Sequence, residues 1–122
     1  MTWDEIADEQ RSAAQNLLEK RANVCSRAVC SRAYYAVYAL LSGRAPPAMV
    51  FPFGRLNPDH HQLAGIVDQL SGVPKRNIKL ALSRLRLSRV TADYGVGLDI
   101  SENVARQRLR DCAYIFREIA GR

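Results

Sequence analysis

Apolar residues recur every three to four positions along four or five segments of the chain, and no convincing strand pattern interrupts them. The first segment runs from about Trp3 to Lys20. It sets Trp3, Ile6, Ala7, Ala13, Ala14 and Leu17 on one face and Asp4, Asp8, Arg11 and Gln15 on much of the other. Thr2 followed by Glu5 is a capping-box signature at its start. The second segment runs from about Asn23 to Ser42 and stops at Gly43. Val29, Cys30, Ala33, Val37, Leu40 and Leu41 form one arc of it, but the far side is not simply polar, holding Ser31, Tyr35, Tyr38 and Ala39. A helix this apolar all round packs on more than one side, so it is predicted to be central.

Residues 44–58 form a loop, because Pro46, Pro47, Pro52 and Pro58 forbid regular structure there. Met49, Val50, Phe51 and Phe53 make it apolar enough to pack on the core or against a partner. A short third helix is predicted from about Asp59 to Leu70, with Asn57 as cap and Pro58 in the first turn, burying Leu63, Ile66, Val67 and Leu70. The fourth runs from about Pro74 to Thr91, before Gly95 and Gly97. Ser101 caps the last, Glu102 to Ala120, which buries Ala105, Leu109, Cys112, Ala113, Phe116 and Ile119. These elements predict one all-α domain over residues 1–122, an antiparallel bundle of four to five helices around a large central hairpin.

One position breaks the pattern. On the fourth helix Ile78, Leu82 and Leu85 form the apolar stripe, and its next member is Arg89, between Ala92 and Asp93 on the wheel. A guanidinium there must be paired, or must line a cavity or a subunit interface. Asp93, four residues on, has ion-pair spacing. Two readings stand: a structural bridge near the helix end, or part of a site.

Charge adds a second signal. Residues 1–74 are balanced at seven basic and seven acidic, whereas residues 75–122 hold eleven basic and five acidic. Lys75, Arg76, Lys79, Arg84, Arg86 and Arg89 follow one another with no acid between them. Such a run suits a polyanion, or is a solvated face neutralised by acids on neighbouring helices. Cys25, Cys30 and Cys112 are too few and too irregular for a disulfide framework or a zinc site, and read as buried thiols. No apolar run spans a bilayer and the acidic start "MTWDEIADEQ" is no leader, so the expected location is the cytoplasm. Without a phosphate loop, a Ser–His–Asp pattern or metal-ligand spacing, no cofactor is expected. Tyr34, Tyr35 and Tyr38 offer either base-stacking surfaces or core packing, packing being the reading for Tyr35. Arg32 is either a phosphate contact or a bridge to another helix. "SGVPKRNIKLALSRLR" has a helix-turn-helix look, but Leu80 and Leu87 opposite the Ile78–Leu85 stripe suggest a helix buried on two sides, not one laid in a groove.

"SRAYYAVYALL" at 31–41, "RVTADYG" at 89–95 and "SENVARQRLRDCAYIFREI" at 101–119 together resemble the HEPN superfamily of small helical domains. They are most similar to a bacterial branch with S-R-A-Y-Y-A on its second helix and R-x-x-A-D-Y closing its fourth. The resemblance implies a helical bundle that dimerises. Many such domains are ribonucleases, often toxins of toxin–antitoxin pairs. Others are binding modules encoded beside a nucleotidyltransferase. Nuclease members carry an Arg, then four to six residues, then a His, at a dimer cleft. Carried over, the Arg is Arg89, but Tyr94 stands five residues on and residues 90–97 contain no His. Turnover is thus left open. The candidate catalytic residues are Arg89, Asp93, Tyr94 and His61, since His60 and His61 are the only imidazoles available. Either His could instead cap or pack the third helix. Candidate RNA or nucleotide contacts are Arg32, Tyr38, Lys79 and Arg86. Expected partners are a second copy, RNA or a nucleotide, and a nucleotidyltransferase or antitoxin, with no membrane.

Overall fold

The computed structural model describes residues 1–19, 25–51, 57–95 and 99–121. Among them are five helices and no strand: α1 (Trp3–Glu19), α2 (Cys25–Ser42), α3 (His60–Gln69), α4 (Lys75–Tyr94) and α5 (Glu102–Ile119). The all-helical bundle expected from periodicity is what forms. Lys20, Asn23 and Phe53 lie outside the described residues.

The centre is α2, which touches each of the other four helices. Its predicted arc, Val29, Cys30, Ala33, Val37, Leu40 and Leu41, is buried throughout, and Tyr34, Ala36 and Ala39 on other sides are buried too. Small side chains let neighbouring backbones approach. At its end a β-carbon on Gly43 would stand 3.0 Å from the Trp3 Cβ, a tight contact, so the close approach of α1 favours glycine. The α1 capping box forms as expected: the Glu5 N–H donates to Thr2 Oγ1 at 3.1 Å and the Thr2 N–H to Glu5 Oε2 at 2.9 Å. Contacts of Trp3 with Tyr38 and of Gln10 with Arg32 set α1 antiparallel to α2.

Two helix ends differ from the sequence reading. The cap of α3 is Asp59, not Asn57. Its carboxylate accepts from the Gln62 N–H at 2.9 Å, while Gln62 Oε1 accepts from the Asp59 N–H at 3.0 Å. This reciprocal pair satisfies two orphan amides at once, which Asn57 followed by Pro58 cannot match. The other difference matters more for function. Helix α4 continues past Thr91 to Tyr94, with Gly95 as its C-cap. Its last carbonyls are held from outside: Arg27 of α2 donates from Nη1 to Ala92 O at 2.8 Å and Thr91 O at 3.4 Å, and from Nη2 to Gly95 O at 2.7 Å. A cation at a helix C-terminus also opposes the helix dipole. Asp93 and Tyr94 are therefore helical residues in fixed register with Arg89.

The core divides into a large cluster along α2, α3, α4 and α5 and a small one at the Arg27 end, where Val29 and Cys30 meet Ala14, Ala92 and Ala105. Ile115, absent from the predicted face of α5, is fully buried, whereas Leu109 and Ala113 are half-buried. Contacts with α1, α2 and α4 widen the buried face of α5 beyond a single stripe. Cys30 and Cys112 are buried free thiols, pushed up to about 11 and about 12 by burial, and so are poor nucleophiles.

The opposite happens on α4. Its neighbours α2, α3 and α5 leave one face uncovered, and Leu80, Leu87, Val90 and Tyr94 stand 49%, 69%, 39% and 68% exposed along it. Among the described residues nothing supplies the second buried side that Leu80 and Leu87 suggest. Among the described residues no helix is long and apolar enough to cross a membrane.

Candidate functional site

Two polar stripes face each other across α2 and α4. On α2, Arg27, Ser31 and Tyr35 recur at four-residue spacing, which keeps them on one side of the helix. On α4, Arg86, Arg89 and Asp93 do the same at spacings of three and four. The helices run antiparallel, so the stripes meet in reverse order. Arg27 reaches the end of α4, the Ser31 hydroxyl donates to Asp93 Oδ1, and Arg89 Nη2 donates to Tyr35 Oη at 2.6 Å.

Arg89 is held on several sides, with a side chain only 13% exposed. Its Nε lies 2.9 Å from Asp93 Oδ2 without aiming its hydrogen there, so this contact is an ion pair rather than a hydrogen bond. The Tyr35 and Tyr94 ring centroids each lie 5.3 Å from the guanidinium carbon, within cation–π range. Nη1 has no hydrogen-bond acceptor among the described residues. The structure thus contains the Arg89–Asp93 bridge expected from spacing, and embeds it between two phenols.

An imidazole from α3 joins this cluster, and it is that of His60. Tyr34 Oη and His60 Nδ1 are hydrogen-bonded, with ring centroids 5.5 Å apart. Tyr38 Oη donates to Pro58 O at 2.6 Å, which pins the chain entering α3. Burial raises the Tyr34 pKa far above the ordinary phenol value, so it stays protonated. Burial also lowers the His60 pKa from its ordinary 6.5, and the Arg86 and Arg89 guanidiniums lower it further. Because folded His60 resists protonation, the unfolded chain takes up more protons as pH falls through 6.5, and stability falls with it. The urea midpoint is expected to drop between about pH 7.5 and about pH 5.5, and His60→Gln to flatten that drop. An unchanged acid limb in the variant would refute this assignment.

Other candidates lie elsewhere. His61 is exposed, one residue and about 100° round the helix from His60. Arg32 turns toward α1, where its Nη1 donates to Gln10 Oε1 at 3.3 Å. Tyr38 is committed to Pro58 and to ring packing, so it offers no open stacking face. Lys79 lies two turns up α4 from Arg86, about 10 Å away along the axis, and pairs with Asp68 of α3 at 2.8 Å. Neighbouring acids also neutralise part of the basic run: Asp111 takes Arg84 and Asp93 takes Arg89. Arg86 is exposed and has neither ion pair nor hydrogen bond among the described residues.

The cluster therefore brings together Arg86, Arg89, Asp93 and Tyr94 from α4, Ser31, Tyr34 and Tyr35 from α2, and His60 from α3. Sequence reading gave no site role to Arg27 or Ser31 and assigned Tyr35 to packing. Their signal was a polar i, i+4, i+8 stripe on an otherwise apolar helix. Among the described residues no cluster of three His, Cys, Asp or Glu side chains is placed to hold a metal. Chemically, the arrangement presents one free and one partly committed guanidinium to an anion, with phenol hydroxyls and an imidazole beside them.

No curated protein matches the chain. A family model described as HEPN domain matches residues 1–121, and with five helices and no strand among the described residues the protein belongs to the HEPN domain family.

Proposed function

We propose that the groove between α2 and α4 binds the phosphates of RNA or of a nucleotide, at a cleft completed by a second copy. The observation that carries this reading is the pair of guanidiniums one turn apart. Arg86 lacks any partner among the described residues, and Arg89 is oriented by Tyr35 and Asp93 with its Nη1 unclaimed. A fixed guanidinium fork suits phosphate geometry, and a free one beside it adds charge at no cost in broken bonds. Tyr94 exposes its ring next to these cations, where an unstacked base fits.

In the ribonuclease form of this reading, the protein is a metal-independent toxin-type nuclease. The 2'-hydroxyl attacks the adjacent phosphorus, the 5'-oxygen leaves with a proton, and a 2',3'-cyclic phosphate remains. The guanidiniums stabilise charge on the phosphoryl oxygens. A second reading is a non-catalytic binding module, a helical partner of a nucleotidyltransferase or antitoxin. It is favoured by Tyr94, whose phenol stands where nuclease members carry the imidazole of a histidine.

Purified protein mixed with single-stranded RNA in excess chelator tests both forms. Binding should weaken steeply as salt is added, and salt-independent binding or none would overturn the phosphate reading. Cyclic-phosphate ends on the products support the nuclease form, and intact RNA supports the module. Growth arrest on expression, abolished by Arg89→Ala, would support the toxin role.

A further inference from the structure

A second concentration of positive charge lies between the end of α3 and the start of α4. Asp68, Lys75, Arg76, Lys79, Leu80 and Ser83 line an open cavity of about 490 Å³ there. Its three cations share one acid. The Asp68 carboxylate pairs with Lys79 at 2.8 Å. Lys75 Nζ donates only to the Asp68 backbone carbonyl, at 2.9 Å, and a carbonyl does not neutralise an ammonium. Arg76 is exposed, with neither ion pair nor hydrogen bond among the described residues. The charge is also placed against its own helix. Lys75 and Arg76 stand in the first turn of α4, which holds no acid and is capped by no side chain. Cations at that end oppose the helix dipole, so folding alone does not favour them there.

This cavity lies on one line with the Arg86–Arg89 cluster. At 100° per residue, Lys75, Lys79 and Arg86 fall within about 40° of one another on the wheel. Arg86 is about 10 Å along the axis from Lys79 and about 15 Å from Arg76. No acid stands on α4 between Lys75 and Arg86. Helix α3 runs beside this flank, with His60 at the cluster end and Asp68 at the cavity end.

We infer that the cavity holds phosphate further along the same strand whose first phosphate lies at Arg86 and Arg89, so that the ligand is a single RNA strand several nucleotides long and not a mononucleotide. The inference rests on the phosphate reading above and names its substrate class. A stacked strand advances about 3.4 Å per nucleotide, so about three or four nucleotides span the gap. A mononucleotide is too short to reach both ends. Two weak sites joined by one strand act together, because the second phosphate binds at the high local concentration that the first one sets. Binding then grows with strand length until the cavity is reached.

Fluorescence anisotropy of the full chain with labelled oligouridylates, in excess chelator, reads that span. The parent should bind a hexanucleotide at least about tenfold more tightly than a dinucleotide. A Lys75→Ala/Arg76→Ala double variant should lose this difference and keep its dinucleotide affinity. Its slope of log affinity against log salt for the hexanucleotide should fall by about 1.4, the worth of two contacts on a single strand. Its melting temperature should hold or rise, because the cations removed oppose the dipole. Equal affinity for both lengths in the parent, or an equal loss for both lengths in the double variant, overturns the inference. The phosphate reading is then decided separately, by whether Arg86→Ala weakens the dinucleotide. Hexanucleotide binding that needs Lys75 and Arg76 but not Arg86 overturns both. A polyglutamate peptide that displaces the hexanucleotide as readily as unlabelled RNA does would assign the cavity to an acidic protein segment, and would overturn the inference as well.

Discussion

Arg86→Ala is expected to weaken single-stranded RNA binding by about tenfold or more, the worth of one charge-assisted hydrogen bond, while leaving the melting temperature unchanged. The stability half follows from its exposure and its lack of an ion pair or hydrogen bond among the described residues, so no native contact is lost. The binding half follows from its position one turn from Arg89, on the side of α4 that faces the His60 imidazole. The slope of log affinity against log salt should fall by roughly one unit, the signature of one lost phosphate contact. Arg86→Lys should keep most of the affinity, because a point charge there suffices. Arg89→Lys should not, since one ammonium cannot serve Tyr35, Asp93 and a phosphate together. Arg89→Ala should also lower stability modestly, by leaving the exposed Asp93 carboxylate beside Ser31 without its cation. Fluorescence anisotropy with a labelled oligonucleotide across a salt series reads these outcomes. Equal loss from both alanine variants, with equal loss of melting temperature, would mean that Arg86 acts structurally and not on phosphate.

Arg27→Ala is expected to cost about 2–4 kcal/mol of folding stability, judged from charge-assisted hydrogen bonds to carbonyls that are then left without donors. In a domain of this size that lowers the melting temperature by about 10 °C. Arg27 is one side chain serving Thr91, Ala92 and Gly95 across the bundle. Its loss releases the last turn of α4, and with it Asp93 and Tyr94. Hydrogen exchange should quicken at the amides of residues 91–95 well before the rest of α4. RNA affinity should fall as well, although Arg27 itself stands behind the groove. Arg27→Lys should recover only part of the stability, because one ammonium cannot span three carbonyls. A melting temperature within a degree or so of the parent would show that the cap contributes nothing, since single surface changes lie within about 0.5 kcal/mol.

How far the site was legible from sequence depends on distance along the chain. Arg89 and Asp93 were found because their relation is local: four residues on one helix, with the arginine displaced onto an apolar stripe. Tyr35 was assigned to packing because its own helix is apolar all round. Its partner Arg89 is 54 residues away, and no local pattern announces that. His60 and His61 were equivalent on paper. The structure separates them because the Asp59–Gln62 capping box fixes where α3 starts, and so which imidazole turns toward Tyr34. The basic run was half misleading. Asp68 and Asp111, on other helices, take up Lys79 and Arg84, and leave Arg86 as the cation still open in the groove.

By itself, then, the sequence determined the helices, the central place of α2 and the anomaly at Arg89. Each follows from periodicity and composition over a few turns, where side chains at i and i+4 must share a face. Tertiary structure decided where α4 ends, because a helix terminus is only as long as its last carbonyls are satisfied, and Arg27 satisfies them from 65 residues away. It also decided which tyrosine holds Arg89, which histidine enters the groove and which arginine is left free. Those choices turn on the antiparallel register of α2 and α4, which is set by packing over the whole bundle and written in no single segment.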